Sequence, residues 1–147
     1  MKISLEKEYD GKLHVACCTN VPGCYVQSEN RDDLETELQY ALEIYLKNCL
    51  DRNQPFPNEP DRPVIDIRIR FERISSLQLC KIFKRFHYHV EYADDRYVLV
   101  LNSNFPFNRV IFPNSLSISP LIIKRIVGAE NVIHVQESVL RMNTSAS

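Results

Sequence analysis

The stretch VPGCYVQSEN, residues 21–30, decides how the first half of this chain folds. Pro presets one backbone dihedral angle and Gly tolerates a positive one, so Pro22-Gly23 predicts a turn. Residues 25–28 then predict a short strand. Asn30 is a candidate N-cap, because the acidic residues after it would face the positive end of a helix dipole. Ten residues therefore predict a turn, a strand and the start of a helix.

The segments on either side complete this pattern. Apolar residues recur at three- and four-residue steps downstream, which is the spacing of one stripe on a helix. They are Leu34, Leu38, Ala41, Leu42, Tyr45, Leu46 and Cys49. Upstream, residues 3–8 and 12–18 alternate as strands do, and Asp10-Gly11 predicts a two-residue hairpin between them. The predicted order is strand, strand, strand, helix.

A proline-rich connection follows the helix. Residues 51–63 predict a semi-rigid connection, since Pro donates no backbone hydrogen bond and fits neither a helix nor a central strand. Residues 64–71 alternate cleanly, with Ile65, Ile67, Ile69 and Phe71 on one face, and predict a half-buried strand. We expect this strand to join the first sheet, which places a first domain at 1–72 and a second at 73–147.

The second half has a different order of elements. Ser75 or Ser76 is a candidate helix cap, and strands are predicted near residues 88–92, 96–101 and 109–112. Ser117 or Ser119 is a candidate cap for a last helix that ends near Gly128. Residues 131–135 predict an edge strand, and 141–147 a frayed tail. The predicted fold class is α+β in two small domains, βββαβ followed by αβββα.

Composition and charge limit the function. The 147 residues carry a net charge of -1, but residues 1–63 carry a net -5 and residues 64–147 a net +4. Opposite charges are expected to attract, within the chain or between chains. Five cysteines without a framework spacing indicate reduced thiols and a cytoplasmic location. No apolar run approaches the roughly 20 residues that cross a bilayer, so we expect no membrane partner. No nucleotide-binding or metal motif is present, so we expect no cofactor.

The first half resembles the antitoxin domain of HicB proteins. The family pattern P-G-C/V-x-x-x-G/S-x-T/N-x-x-E/D-A/L is matched from Pro22 to Leu34, ahead of the long helix. The resemblance implies regulation by binding rather than catalysis. Because HicB-like proteins associate, it also implies a homo-oligomer, with a dimer as the default.

The second half resembles the HicA toxin family, which has a double-stranded-RNA-binding-like fold. The match consists of a helix at 79–86, an R-V-x-x-P strand at 109–113 and a last helix at 118–128. The family's catalytic His would fall within 93–98, where this chain has Arg96 or Tyr97 instead. Neither exchanges a proton near neutral pH, because Arg stays protonated and Tyr has a pKa near 10. We therefore assign no catalytic residue.

Other histidines and cysteines offer no clear site. His87 and His89 alternate at a helix-to-strand junction, but no third metal ligand is evident. Cys17 and Cys18 are expected on opposite strand faces. Phe105 and Phe107, on either side of Pro106, indicate a loop plug tucked into the core, although these rings and those of Tyr92 and Tyr97 could also stack on bases.

These observations lead to one hypothesis with two rivals. The candidate nucleic-acid contacts are Lys81, Lys84, Arg85, Arg96, Arg109, Lys124 and Arg125, unless the helical ones are only solvated faces. The first hypothesis is a non-catalytic regulatory protein derived from a bacterial HicA/HicB toxin–antitoxin pair, which binds protein (a toxin or another partner) and RNA. The rivals are a latent HicA-like ribonuclease inhibited by its own first half, and a homo-oligomeric interaction module.

Overall fold

The structure, a computed structural model, describes residues 2–70 and 73–133 and begins with an antiparallel sheet. Its strands are β1 (Leu5–Tyr9), β2 (His14–Cys18) and β3 (Tyr25–Ser28), in that spatial order. The predicted two-residue hairpin at Asp10-Gly11 is wrong, since Tyr9 pairs with His14 and leaves a four-residue loop. The Asp10 carboxylate accepts the amides of Lys12 and Leu13, at 2.8 and 2.6 Å, and so favours the longer turn.

The first long helix begins where the sequence predicts. Asn30 accepts the amide of Asp32 and caps a short 3₁₀ turn at Arg31–Asp33, which leads into α1 (Leu34–Asp51). Five residues of the predicted apolar stripe are buried, namely Leu34, Leu38, Ala41, Tyr45 and Cys49. These five therefore face the protein interior, as their spacing predicts, whereas Leu42 is half-buried and Leu46 is exposed.

The elements of the second half also follow the predicted order. They are α2 (Ser76–Arg85), β5 (Tyr88–Ala93), β6 (Tyr97–Asn102), β7 (Arg109–Pro113) and α3 (Pro120–Val127). Ser75 caps α2 in a reciprocal pair with Gln78, and Ser119 caps α3. The three strands form an antiparallel sheet in the order β5-β6-β7. The α+β class of the two small domains is thus confirmed.

The strand predicted at 64–71 has a different partner from the one expected. In the described part of this segment, residues 64–70, the strand is confined to β4 (Ile69–Arg70). It pairs in parallel with β8 (Val132–Ile133) rather than with the first sheet. The chain before it lies along α3, where the amides of Val64 and Ile65 donate to the carbonyl oxygen of Ile126 at 2.8 and 3.3 Å. Burial of Ile65 and Ile69 against the helices holds it there. The predicted edge strand at 131–135 is confirmed at 132–133, whereas residues 134 and 135 and the predicted tail lie outside the described residues.

The two three-stranded sheets meet edge to edge. Cys24, just before β3, forms a parallel bridge with Ile111 of β7, whose amide donates to the carbonyl oxygen of Gly23 at 2.7 Å. This contact occupies the outer edge of β3, which is a physical reason why β4 does not join the first sheet. The six strands follow one another as β1-β2-β3-β7-β6-β5.

Both hydrophobic clusters contain residues from both domains. On one face of the strands, α2 and α3 pack on Val15 and Tyr25 of the first sheet and on Val98 and Phe112 of the second. On the other face, α1 packs on Val26 and also on side chains of β6 and β7. The predicted domains are therefore joined through two shared cores. The boundary between 72 and 73 remains a prediction, because residues 71 and 72 lie outside the described ranges.

Candidate functional site

The hairpin between β5 and β6 is the place where the HicA resemblance puts a catalytic His. Asp94 accepts the amides of Arg96 and Tyr97, both at 2.7 Å, and so shapes the turn. Tyr97 is only 2% exposed, and its hydroxyl donates to the carboxylate of Glu37 on α1. Arg96 donates to the same carboxylate at 2.9 Å. The first domain therefore covers this position.

Two more tyrosines complete the cluster. The hydroxyls of Tyr40 and Tyr92 donate to Oδ2 of Asp94 at 2.6 and 2.7 Å. The Arg96 guanidinium lies over the Tyr40 ring, 3.9 Å from its centroid, in a cation–π contact. This hairpin cluster, made of Glu37, Tyr40, Tyr92, Asp94, Arg96 and Tyr97, is a contact between the two domains.

The protonation of Asp94 and Tyr97 is fixed near neutral pH. Burial alone would raise the pKa of Asp94, but hydrogen bonds from Tyr40 and Tyr92 and from backbone amides outweigh it and lower this pKa to about 2. Burial, followed by the neighbouring Glu37 carboxylate, raises the pKa of Tyr97 well above its ordinary value. The carboxylate of Asp94 is therefore ionised and the phenol of Tyr97 protonated, so neither exchanges a proton near pH 7.

Three of the seven predicted nucleic-acid contacts bond to other parts of the protein, although Arg96 is exposed. Arg96 belongs to the hairpin cluster, and Arg109 is 4% exposed. Arg125 of α3 bonds to Glu8 on β1 and lies 3.5 Å from Asp61 in the proline-rich connection. Burial alone would lower the pKa of Arg125, but the hydrogen bond to Glu8 is the largest of the opposing effects, and with the nearby Glu6 carboxylate it raises this pKa overall. These arginines link segments of the fold.

The other four predicted contacts lie at the surface. Lys81, Lys84 and Arg85 are exposed on α2, and Lys124 is exposed on α3. Two of them, Lys81 and Lys84, line a groove of about 360 Å³ beside β5, together with His89. Their role in binding nucleic acid remains a prediction.

His89 is held in place by neighbours on both ring nitrogens. Its Nε2 lies 3.0 Å from Oε2 of Glu91, and its Nδ1 lies 3.2 Å from Oγ of Ser103. A bulge in β5 falls at Glu91, which also accepts two bonds of 2.6 Å from Arg52 at the end of α1. Those bonds from Arg52 are the main reason that the pKa of Glu91 falls to about 2. Sequence reasoning missed Glu91, although its position two residues after His89 on one strand was a usable signal.

The remaining candidate residues are scattered. His87 is exposed at the start of β5, His14 stacks on Tyr9 with ring centroids 4.4 Å apart, and His134 lies outside the described residues. Cys17 and Cys18 belong to opposite hydrophobic clusters, as expected. Within residues 2–70 and 73–133, no group of three or more His, Cys, Asp or Glu side chains could hold a metal ion. In the same ranges, no helix combines the length and apolar character needed to cross a membrane.

The loop plug predicted at Phe105 and Phe107 is wrong. Phe105 is 86% exposed and Phe107 is 36% exposed, and their rings meet edge to face with centroids 5.9 Å apart. Both hydrophobic clusters are formed by other side chains, so neither ring is part of the core. Two aromatic rings are left at the surface instead.

Comparison with known proteins shows a similarity over part of the chain. Over 57 residues, which are 39% of this chain, the sequence is 33% identical to UPF0150 protein ssr1765 of Synechocystis sp., and the match covers 71% of that protein. No family model matches the chain. No solved structure matches it either.

Proposed function

Because the chain belongs to the UPF0150 family, which is related to HicB-like antitoxins, we propose that it is a non-catalytic regulatory protein of the toxin–antitoxin type. Its first domain acts as the antitoxin-like part, and its second domain is a HicA-like domain that binds without cleaving. The ligands are a toxin or other partner protein and RNA. The location is the cytoplasm, in keeping with five free cysteines.

One observation carries the proposal. Helix α1 of the first domain lies over the hairpin that would hold the cleaving residue, and Glu37 occupies both Arg96 and Tyr97. General acid–base catalysis requires a group of suitable pKa within reach of the substrate. A buried phenol of raised pKa, paired with a carboxylate, does not meet that requirement. The hairpin cluster therefore supports contact between domains rather than chemistry.

The exposed cations of α2 support RNA binding. Lys81, Lys84 and Arg85 lie on one short helix, and the 360 Å³ groove beside two of them accommodates a backbone phosphate. Folds of this type contact duplex RNA through shape and phosphates. Phosphate contacts release counterions, so such binding weakens steeply as salt rises.

The test is a mobility-shift series with duplex RNA, single-stranded RNA and DNA at several salt concentrations. We expect RNA binding whose salt slope falls by about two when Lys81 and Lys84 are both changed to Gln. The control is Lys47→Gln, which removes an exposed charge from α1, outside the groove. The proposal of RNA binding through Lys81 and Lys84 would be refuted if the affinity for RNA did not depend on salt concentration, or if the double variant bound RNA with an unaltered salt slope. RNA cleavage by the purified chain would refute the non-catalytic part.

A second candidate function is a latent ribonuclease with a relocated base. The observation that favours it is the imidazole of His89, which Glu91 and Ser103 orient beside two lysines. This arrangement predicts that the whole chain is inactive but that the isolated segment from Ser75 onward cleaves RNA, and that His89→Ala abolishes this cleavage whereas His87→Ala, at an exposed position just before β5, leaves it intact. Growth of cells that express the segment provides a second readout. Normal growth and uncut RNA with a folded segment would exclude this candidate.

We also propose that the chain forms a homodimer. An apolar groove of about 590 Å³ lies between β1 and α1, where Leu42, Leu46 and Phe56 contribute to its walls. Exposed apolar surface of this kind favours association. Light scattering should therefore give twice the mass of the chain, and Leu46→Glu should shift the protein to a monomer. A wild-type monomer at every concentration would contradict the proposal.

A further inference from the structure

We infer that a pocket between the proline-rich connection and the loop before β7 binds a nucleoside monophosphate group, either as a free nucleotide or as the end of an RNA strand. This nucleotide pocket has a volume of about 480 Å³. Pro55 and Pro57 line one side, Phe105 and Phe107 the other, and Arg109 contributes a charge. It lies apart from the lysine groove on α2, so the inference goes beyond the proposed function.

Arg109 is the main reason to expect an anion here. Its side chain is buried, yet its hydrogen-bond partners are the neutral amides Asn48, at 2.7 Å, and Gln54. Among the described residues, no carboxylate lies within 4.0 Å of its guanidinium. A buried charge without a counter-charge costs free energy. An anionic ligand would supply the missing charge.

Two carboxylates in this region are already engaged by other arginines. Asn48 also bonds Glu91 at 3.2 Å, but that carboxylate is held by Arg52. Glu59, which lines the pocket, lies 2.9 Å from Arg62. The pocket walls therefore carry two guanidinium groups and one carboxylate. A phosphate can accept bonds from two arginines at once, which makes it a better fit than a single carboxylate.

The aromatic rings favour a ligand with a planar base. Phe105 and Phe107 stand exposed beside the pocket, and nucleic-acid bases stack on such rings with little dependence on sequence. A proline-rich peptide would also suit a groove walled by aromatic rings and prolines, but it would leave the charge of Arg109 unpaired. Phosphate and base together indicate a nucleotide.

Calorimetric titration of the full chain distinguishes these ligands. The probes are AMP, adenosine, inorganic phosphate, a short oligoribonucleotide with and without a 5′ phosphate, and a proline-rich peptide. We expect AMP to bind more tightly than either adenosine or phosphate alone. Tighter binding of the 5′-phosphorylated strand than of AMP assigns the pocket to RNA ends, and the reverse order assigns it to free nucleotides.

Two variants test the residues. Phe105→Ala should weaken AMP binding about fivefold or more, because the base loses its stacking partner, and leave phosphate binding unchanged. The matched control is Leu116→Ala, which truncates a side chain that is 93% exposed on another loop. Arg109→Gln should abolish the binding of AMP and phosphate, and thermal unfolding checks that this variant is folded. The inference would be overturned if AMP and adenosine bound equally well, or if a folded Arg109→Gln variant kept its affinity for AMP. It would also be overturned if only the peptide bound, or if no probe bound at all.

Discussion

Replacing Gly23 by Ala should separate the two sheets where they touch. Gly23 has a φ of +87°, and its carbonyl oxygen accepts the amide of Ile111 across the junction. A Cβ atom at this position would overlap the carbonyl oxygen of Arg109 and come within 3.2 Å of the Cα atom of Val110. Both obstacles are backbone atoms, so the sheets themselves must move.

The expected loss of stability in Gly23→Ala can be estimated by comparison with Gly11→Ala, a matched control. Gly11 has a φ of +96°, but a Cβ there meets nothing within 4 Å. Gly11→Ala should therefore cost only the strain of a left-handed residue, about 1–2 kcal/mol. Gly23→Ala carries the same strain plus the overlap at the junction, which adds about 1–3 kcal/mol, as overpacking in a core does. We therefore expect Gly23→Ala to lower the free energy of unfolding by about 2–5 kcal/mol in total.

Urea unfolding followed by circular dichroism and tyrosine fluorescence measures both variants. Trp is absent and seven tyrosines are present, so fluorescence reports on the clusters around the sheets. Two-state behaviour is checked by coincidence of the two signals. If both variants lose the same stability, Gly23 is needed only for its backbone conformation, and the close approach of β3 to β7 is not as described.

Three other substitutions test the remaining contacts. Glu91→Gln should lower the free energy of unfolding by about 2 kcal/mol at pH 7, after allowance for solvent screening around Arg52. Because the pKa of Glu91 is lowered in the folded protein, the ionised carboxylate stabilises the fold fully above pH 4.5. The difference between the variant and the wild type should therefore vanish as the pH falls from 4.5 toward about 2. Urea midpoints measured from pH 2 to 7 check this, and a difference between the wild type and the variant that does not depend on pH would count against it. Tyr97→Phe should cost about 1–2 kcal/mol in urea by removing the bond to Glu37, whereas unchanged stability would show that this bond contributes little. Ser75→Ala should cost about 1 kcal/mol in thermal unfolding by removing the cap of α2, and an unchanged midpoint would rule out the cap.

Elements governed by neighbouring residues could be predicted from the sequence. Asn30, Ser75 and Ser119 cap helices because a short polar side chain can accept an amide two or three residues ahead. The stripe on α1 could be predicted because burial follows helical period. Such signals are local, so a single sequence contains them.

Pairing between distant segments could not be predicted in this way. The alternation at 64–70 indicates an extended segment with one buried face, but it does not reveal which edge that segment meets. The bridge between Cys24 and Ile111 decides the question, and it joins residues far apart in the chain. The hairpin at Asp10 shows a smaller version of the problem, because one carboxylate bonded to two amides overrides the preference of an Asp-Gly pair.

The sequence draws attention to the hairpin between β5 and β6 but does not predict its partner on α1. The sequence places Arg96 or Tyr97 where the HicA resemblance expects His, and the structure adds the unforeseen partner, Glu37 on α1. Side chains from α1 reach the hairpin only because the two sheets are adjacent. No pattern in the sequence indicates that adjacency.

The charge asymmetry between the halves now has a partial structural explanation. Basic residues of the second half pair with acidic residues of the first, as Arg125 does with Glu8 and Arg96 with Glu37. Those arginines are therefore not free for phosphates, and Arg109 is buried in the wall of the nucleotide pocket. The other four predicted contacts are exposed, and among the described residues none of them pairs with a carboxylate. Since each neutralised phosphate adds a little under one unit to the salt slope, RNA binding through these four positions should have a slope of about four or less. A slope near seven would mean that Arg96 and Arg125 also reach the RNA, which requires their ion pairs with the first domain to break.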